Sequence, residues 1–146
     1  MDCPNTTNTY TPNSTYQTNL HTLFSVLSSN STVPNGFYNF TAGSSPPNVA
    51  YGLFLCRGDV TPTVCKDCVA YATVDVVEKC PRSKLATIWY DRCMLRYSNA
   101  SIFSVPATGG TFMWNVANVT NVTRLNEVLG EVLITCSFIL SRMMLV

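Results

Sequence analysis

The sequence predicts an α+β fold in which two helices pack against an antiparallel sheet and disulfides staple the layers together. Three observations carry this expectation: apolar residues at spacings of three and four in two segments, short runs of aromatic and β-branched residues between turn signals, and cysteines spread over both kinds of segment. The 146 residues suit one domain of ordinary size. A hydrophobic fraction of 47% supplies a core, and a mean hydropathy of only +0.16 excludes a polytopic membrane protein. Nine Lys and Arg against eight Asp and Glu leave a charge of +1 with no basic cluster, so nucleic acid is excluded as a partner. Charged residues make up 12% of the chain, about half the usual ~25%. Neutral polar groups, or glycans attached to them, must then supply solubility.

The first helix begins at Ser14-Thr15-Tyr16-Gln17, a capping box in which the Ser hydroxyl and the Gln side chain satisfy free backbone donors. Tyr16, Leu20, Leu23, Phe24 and Leu27 form its apolar stripe, and Ser28-Ser29-Asn30-Ser31 ends it. His21 falls off the stripe and has no acid near it in sequence, which makes it a solvated helix residue. Pro34-Asn35-Gly36 turns the chain into a strand at Phe37-Tyr38-Asn39-Phe40-Thr41. A second, more buried strand covers Val49 to Cys56, with Gly52 marking close approach of another backbone. Arg57-Gly58-Asp59 turns again; as an integrin-type ligand it is a weak motif. Thr61-Pro62 caps the second helix, and Pro81 stops it. Cys65, Cys68, Val69, Ala72, Val76 and Cys80 share one face, while Lys66, Asp67, Asp75, Glu78 and Lys79 fall mainly elsewhere. Leu85 to Tyr90 and Cys93 to Tyr97 read as strands, and Ile102-Phe103-Ser104-Val105 as an edge strand. Residues 105–146 read as a linker and the truncated or divergent start of a second repeat, with a short helical pattern at Leu125, Val128, Leu129 and Val132. A misread or truncated gene product would leave the Met-rich tail disordered or aggregation-prone.

Seven Cys with one His make a poor metal site, because thiolate zinc sites use paired Cys-x-x-Cys knuckles and only Cys65-Lys66-Asp67-Cys68 has that form. The same pair also fits a redox motif, but cysteines on the core face of a helix are better placed to staple than to exchange with a substrate. Structural disulfides in an oxidising compartment are therefore expected, and neither metal nor cofactor. Asn-x-Ser/Thr sites at Asn5, Asn13, Asn30, Asn39, Asn99, Asn118 and Asn121 point to the same compartment, though a chain rich in Asn and Thr inflates chance matches. Met1-Asp2-Cys3-Pro4 carries neither a basic nor an apolar leader segment, so the sequence reads as a mature start or a fragment. Val132 to Val146 is apolar, but Arg142 interrupts it and it is shorter than the ~20 residues of a membrane span. No membrane span is expected in this chain.

The run Cys56-Arg57-Gly58-Asp59-Val60-Thr61-Pro62-Thr63-Val64-Cys65-Lys66-Asp67-Cys68 is Cys-x8-Cys-x2-Cys, preceded by Val-Ala-Tyr-Gly-Leu-Phe-Leu. It resembles the ginkbilobin-2-homologous module, also called the salt-stress/antifungal domain. That plant module occurs in the ectodomains of cysteine-rich receptor-like kinases, in plasmodesmata-located proteins and in cysteine-rich repeat secretory proteins. Trp89 to Asn99 resembles a second block of the family and Asn19-Leu20 a third, so the likeness runs over residues 3–104. It implies two helices on a five-stranded antiparallel sheet. It also implies the bridges Cys3–Cys80, Cys56–Cys65 and Cys68–Cys93, a choice that spacing alone leaves open. Cys136 is left over.

Lectin members of that family bind mannose through an Asn, an Arg and a Glu at positions that fall here on Pro4, Thr87 and Ser98. Sugar hydroxyls are held best by charged donors and acceptors. Two hydroxyl side chains and a proline are weak replacements, even if Asn5 substitutes by a one-residue shift. Mannose binding by the family mode is therefore not expected. No nucleophile, base and orienter can be assembled, which argues against an enzyme. The expectation is an extracellular or apoplastic recognition module, free or as part of a longer chain on the outer face of the plasma membrane. It would act in stress or defence signalling with an unidentified extracellular protein or glycan ligand. A secreted mannose-binding antifungal lectin is the alternative.

Overall fold

The computed structural model describes residues 1–3, 8–105 and 116–143. The chain divides into two compact units, Met1–Thr111 and Phe112–Val146.

In the first unit, α1 (Thr15–Ser29) starts where Ser14 Oγ accepts the Gln17 N–H at 3.3 Å. The Gln17 side chain reaches back to the Asn13 N–H at 2.6 Å, one residue earlier than in the usual reciprocal box. Tyr16, Leu20, Leu23, Phe24 and Leu27 are all buried. Each fully buried large apolar side chain contributes roughly 1.5–3 kcal/mol. A hairpin of β1 (Phe37–Ala42) and β2 (Ala50–Cys56) follows, then α2 (Pro62–Lys79), β3 (Ala86–Trp89) and β4 (Cys93–Ser98). Thr61 caps α2 by accepting the Val64 N–H at 3.4 Å. All strand pairs are antiparallel, in the order β1-β2-β4-β3.

Period-two alternation gives the sheet two faces. Ala50, Gly52, Phe54 and Cys56 of β2, Cys93, Leu95 and Tyr97 of β4, and Ala86 and Ile88 of β3 are buried beneath the helices. Helix α1 lies over β1 and β2, and α2 over β4 and β3. Gly52 allows the closest approach, because a Cβ there would stand 2.8 Å from Leu23 Cδ2. The neighbour is thus a side chain of α1 and not a second backbone.

Among the described residues four strands are formed, not five. Ile102 is buried as a loop residue, and Ser104 has φ +57°, a left-handed conformation that ends extended geometry after Phe103. The edge beyond β3 is met instead by Asp2, which exchanges two backbone hydrogen bonds with Thr87 at 2.7 and 2.9 Å. Among the described residues three helices are formed, not two. In the second unit, α3 (Val122–Met143) runs through the segment expected to be a short helical pattern and a disordered tail. Its apolar residues continue at helical spacing, no Pro interrupts them, and Asn121 Oδ1 caps the start by accepting the Arg124 N–H at 2.9 Å.

Asp75 departs from its expected place on the polar side of α2. It is only 6% exposed and accepts from Lys79 Nζ at 2.8 Å, from the Tyr71 hydroxyl at 3.5 Å and from the Tyr90 hydroxyl. The phenols come from two elements, so the sequence pattern of α2 alone gives no sign of them.

Candidate functional site

The disulfides tie the layers at three points. Cys3–Cys80 anchors the amino terminus to the end of α2, Cys56–Cys65 joins the end of β2 to the start of α2, and Cys68–Cys93 joins α2 to β4. Their Cα–Cα separations of 5.7, 5.7 and 6.1 Å suit unforced bridges. Cys136 is unpaired and exposed. With Cys65 and Cys68 in separate bridges, they do not form the redox pair that their spacing allows.

The sheet face turned away from α1 and α2 carries the chemistry. Its rows follow from the register. Phe37, Leu55, Met94 and Trp89 lie opposite one another across the four strands. The next row is Asn39, Leu53, Arg96 and Thr87, extended by Asp2 at the bridge, and the third is Thr41, Tyr51 and Ser98. Phe37, Leu55 and Trp89 are 38%, 46% and 41% exposed. Phe103 packs edge-on against Tyr51, with ring centroids 5.9 Å apart. An aromatic and aliphatic row therefore runs along one side of Arg96, with Tyr51 and Ser98 in the row on its other side.

A cleft of about 300 Å³ opens on the β3–β4 side of this face, lined by Asp2, Thr87, Trp89, Met94, Arg96 and Ser98 among others. Arg96 is half-buried, and among the described residues its guanidinium makes no hydrogen bond or ion pair. Thr87 and Ser98, the positions of the sugar-binding residues in the resembling lectins, both line the cleft, while Pro4 and Asn5 lie outside the described residues. Asp2 and Arg96 also line it, although neither was expected from the sequence. The alternation Cys93-Met94-Leu95-Arg96-Tyr97-Ser98 is the signal that places Arg96 beside Ser98, counted outward from the buried Cys93.

The remaining candidates do not converge on this face. Arg57 and Asp59 pair with each other at 2.5 Å, and Arg57 also donates to the Asp91 carbonyl at 2.9 Å. Folded back in this way, the two charges do not present a splayed Arg-Gly-Asp ligand. Arg57 holds the Asp59 carboxyl below the usual carboxylate range. His21 is exposed on α1 and lines a groove with Ser25, Ser28 and Glu78. No hydrogen bond joins these groups among the described residues, so His21 is not oriented as a base. Among the described residues no group of His, Cys, Asp and Glu could hold a metal ion, and no helix is long and apolar enough to cross a membrane.

Of the glycosylation candidates, Asn13, Asn39, Asn118 and Asn121 are exposed and Asn30 and Asn99 are half-buried. Asn30 Nδ2 donates to the Val26 carbonyl at 2.8 Å, and Asn99 Oδ1 accepts from Asn8 at 3.2 Å.

A family model described as salt stress response/antifungal matches residues 2–100. Cysteine-rich receptor-like protein kinase 25 of Arabidopsis thaliana is 50% identical over 137 residues, covering 90% of this chain and 20% of that protein. Cysteine-rich repeat secretory protein 1 of the same plant is 45% identical over 115 residues, covering 79% of this chain and 33% of that protein. The chain thus spans a third or less of the length of these relatives. Among solved structures, the tandem DUF26 ectodomain of the A. thaliana cysteine-rich receptor-like protein PDLP5 is 34% identical, with a TM-score of 0.65 over 71% of this chain and 51% of that one. The corresponding ectodomain of PDLP8 is 24% identical, with a TM-score of 0.76 over 86% and 60%, a likeness of fold. With one β-sheet under two helices, three bridges and the matching family model, this chain belongs to the salt stress response/antifungal family, the DUF26 module of cysteine-rich receptor-like kinases and cysteine-rich repeat secretory proteins.

Proposed function

We propose that the chain is a non-catalytic recognition module that works outside the cell, free in the apoplast or as part of a longer chain at the outer face of the plasma membrane, in stress or defence signalling. The observation that carries this reading is the sheet face away from the helices, where a row of exposed Trp89, Leu55 and Phe37 runs beside the row of Arg96, a cation with no partner among the described residues. A surface of that composition is suited to binding, since large apolar groups left open beside a charged donor mark contact sites. The three bridges favour an oxidising compartment. A catalytic role has less support, because no nucleophile, base and orienter meet through hydrogen bonds among the described residues. The mannose-lectin reading keeps one supporting observation, that Thr87 and Ser98 share the cleft.

The sequons supply the test. Chain expressed through a eukaryotic secretory pathway should lose mass in sugar-sized steps on treatment with an Asn-glycan-releasing enzyme, with the exposed Asn39 among the modified sites. Secreted material whose mass does not change would count against the extracellular reading.

A further inference from the structure

We infer that the chain forms a homodimer through α3, two copies of the helix winding into a parallel coiled coil in which Cys136 faces Cys136 of the second copy. The inference concerns the second unit and does not rest on ligand binding by the sheet face. Its first ground is the period. Val122, Leu125, Leu129, Val132 and Cys136 follow one another at spacings of three and four in alternation, and in sequence Ile139 and Met143 continue the series. That 3.5-residue period is the seam of a left-handed coiled coil, in which each seam residue inserts between side chains of the facing helix. The four aliphatic residues of the seam are 39–59% exposed, and Cys136 is exposed with them. Helices gain most of their stability from covering such a face.

The second ground is what flanks the seam. In a parallel pair of identical helices each seam residue meets its own kind, so a charge there would face the same sign. The charged residues among the described side chains of α3, namely Arg124, Glu127 and Glu131, all fall on the side away from the seam, where Arg124 pairs with Glu127 at 3.3 Å. The flanking residues also select the orientation. Parallel pairing sets Val128 against Leu133 of the second copy, an apolar contact made twice by symmetry. The antiparallel register that opposes Cys136 to Leu125 instead sets Val128 against Thr135 and Leu133 against Asn126, apolar against polar. Parallel burial of the seam and its two flanking residues withdraws on the order of 1,000 Å² from water, the lower bound of a specific interface. Helix axes about 8–10 Å apart, with Cα atoms about 2.3 Å from each axis, bring facing Cα atoms into the disulfide range of about 4.4–6.8 Å. A small disulfide such as oxidised glutathione can then close the bridge. One Cys136 thiolate attacks it and releases a glutathione thiolate, and the other Cys136 attacks the mixed disulfide and releases the second. The two electrons and the two thiol protons of the Cys136 pair end on two molecules of glutathione.

The test uses the whole chain with its three internal bridges formed. Sedimentation equilibrium over roughly 1–100 μM should show a monomer passing into a dimer. Leu129→Asp sets like charges against each other in the seam and should weaken dimerisation about tenfold or more. Ser137→Asp introduces the same residue on the side away from the seam, at a similar cost to the helix itself, and should leave the dissociation constant within about threefold of the parent's. Comparing the two separates loss of the seam from loss of the helix, and unchanged near-ultraviolet circular dichroism shows the first unit intact in both. Oxidised glutathione should convert the parent into a species of doubled mass on non-reducing gels, about tenfold or more faster than it does Leu129→Asp. Cys136→Ser should dimerise like the parent and form no such species. A monomer throughout the range, aggregates without a dimer, equal association in Leu129→Asp, or equal weakening by Ser137→Asp overturns the inference. A dimer that oxidised glutathione does not bridge through Cys136 overturns it too, since the helices would then not be parallel and in register.

Discussion

At the scale of single residues, the best-defined electrostatic feature is the carboxylate of Asp75. The Lys79 ammonium and the Tyr90 hydroxyl hold its pKa below the usual carboxylate range, with a weaker contribution from Tyr71. A carboxyl whose folded pKa lies below its unfolded value, about 3.9, stabilises the fold fully above that value. The contribution is lost as pH falls through the depressed folded value. The opposite limb belongs to the phenols. Burial raises the pKa of Tyr16, Tyr90 and Tyr97 above the ordinary 10.0, and at Tyr90 the Asp75 carboxylate raises it further. Their contribution is present below about pH 10 and disappears as pH rises through the raised values. Urea midpoints measured across pH 2–11 should therefore fall at both ends. Asp75→Asn keeps the shape of the side chain and removes its charge. It should lower the midpoint at neutral pH and flatten the acid limb below about pH 4, while an acid limb identical to that of the parent would show that Asp75 carries none of it.

At the scale of elements, two glycines make the same substitution act in opposite directions. Gly130 lies inside α3, and a Cβ there would meet nothing within 4 Å. Ala should stabilise that helix by about 1 kcal/mol and slow hydrogen exchange of the surrounding amides about fivefold. Gly52 lies in β2 under Leu23, where the added methyl must displace a packed side chain. Gly52→Ala should cost about 1–3 kcal/mol in urea unfolding. Stabilisation at position 52, or unchanged exchange around position 130, would contradict these packing assignments. The same contrast shows what the sequence revealed. Ser14, Gln17 and Thr61 announced helix starts because capping is local chemistry, and alternation in β2 and β4 separated the two sheet faces. Non-local facts stayed hidden. The alternation of β4 assigns Arg96 a face but does not say that Thr87 stands opposite it, and nothing near Asp2 in sequence indicates that it bridges to Thr87. Ile102 looks like a strand residue because a buried loop and an edge strand select the same apolar side chain.

At the scale of the whole molecule, the bridges decide which parts stay together when the core loosens. The first unit stacks two helices on a sheet whose outer face is left open, so its core is built on one side only. Bridging should therefore contribute a large share of its stability, as in other small disulfide-bonded domains. Cys3–Cys80 spans 77 residues, Cys68–Cys93 spans 25 and Cys56–Cys65 spans 9. If each acts by restricting the unfolded chain, loop-closure entropy gives about 4.5, 3.5 and 2.6 kcal/mol in that order. The native state supports the same ranking at its extremes. Cys3–Cys80 fastens the terminal segment that carries Asp2 to the edge of β3, whereas Cys56–Cys65 joins neighbours already held by the turn at Arg57. Paired Cys→Ala variants, compared by urea unfolding under non-reducing conditions, should lose stability in the order Cys3–Cys80, Cys68–Cys93, Cys56–Cys65. The first should also loosen Asp2 from Thr87 and so weaken any ligand held in the cleft between Asp2 and Arg96. Equal losses across the three pairs would show that native-state packing, not the unfolded chain, sets their worth, and a cleft unaffected by losing Cys3–Cys80 would show that Asp2 is held in place by the Thr87 bridge alone.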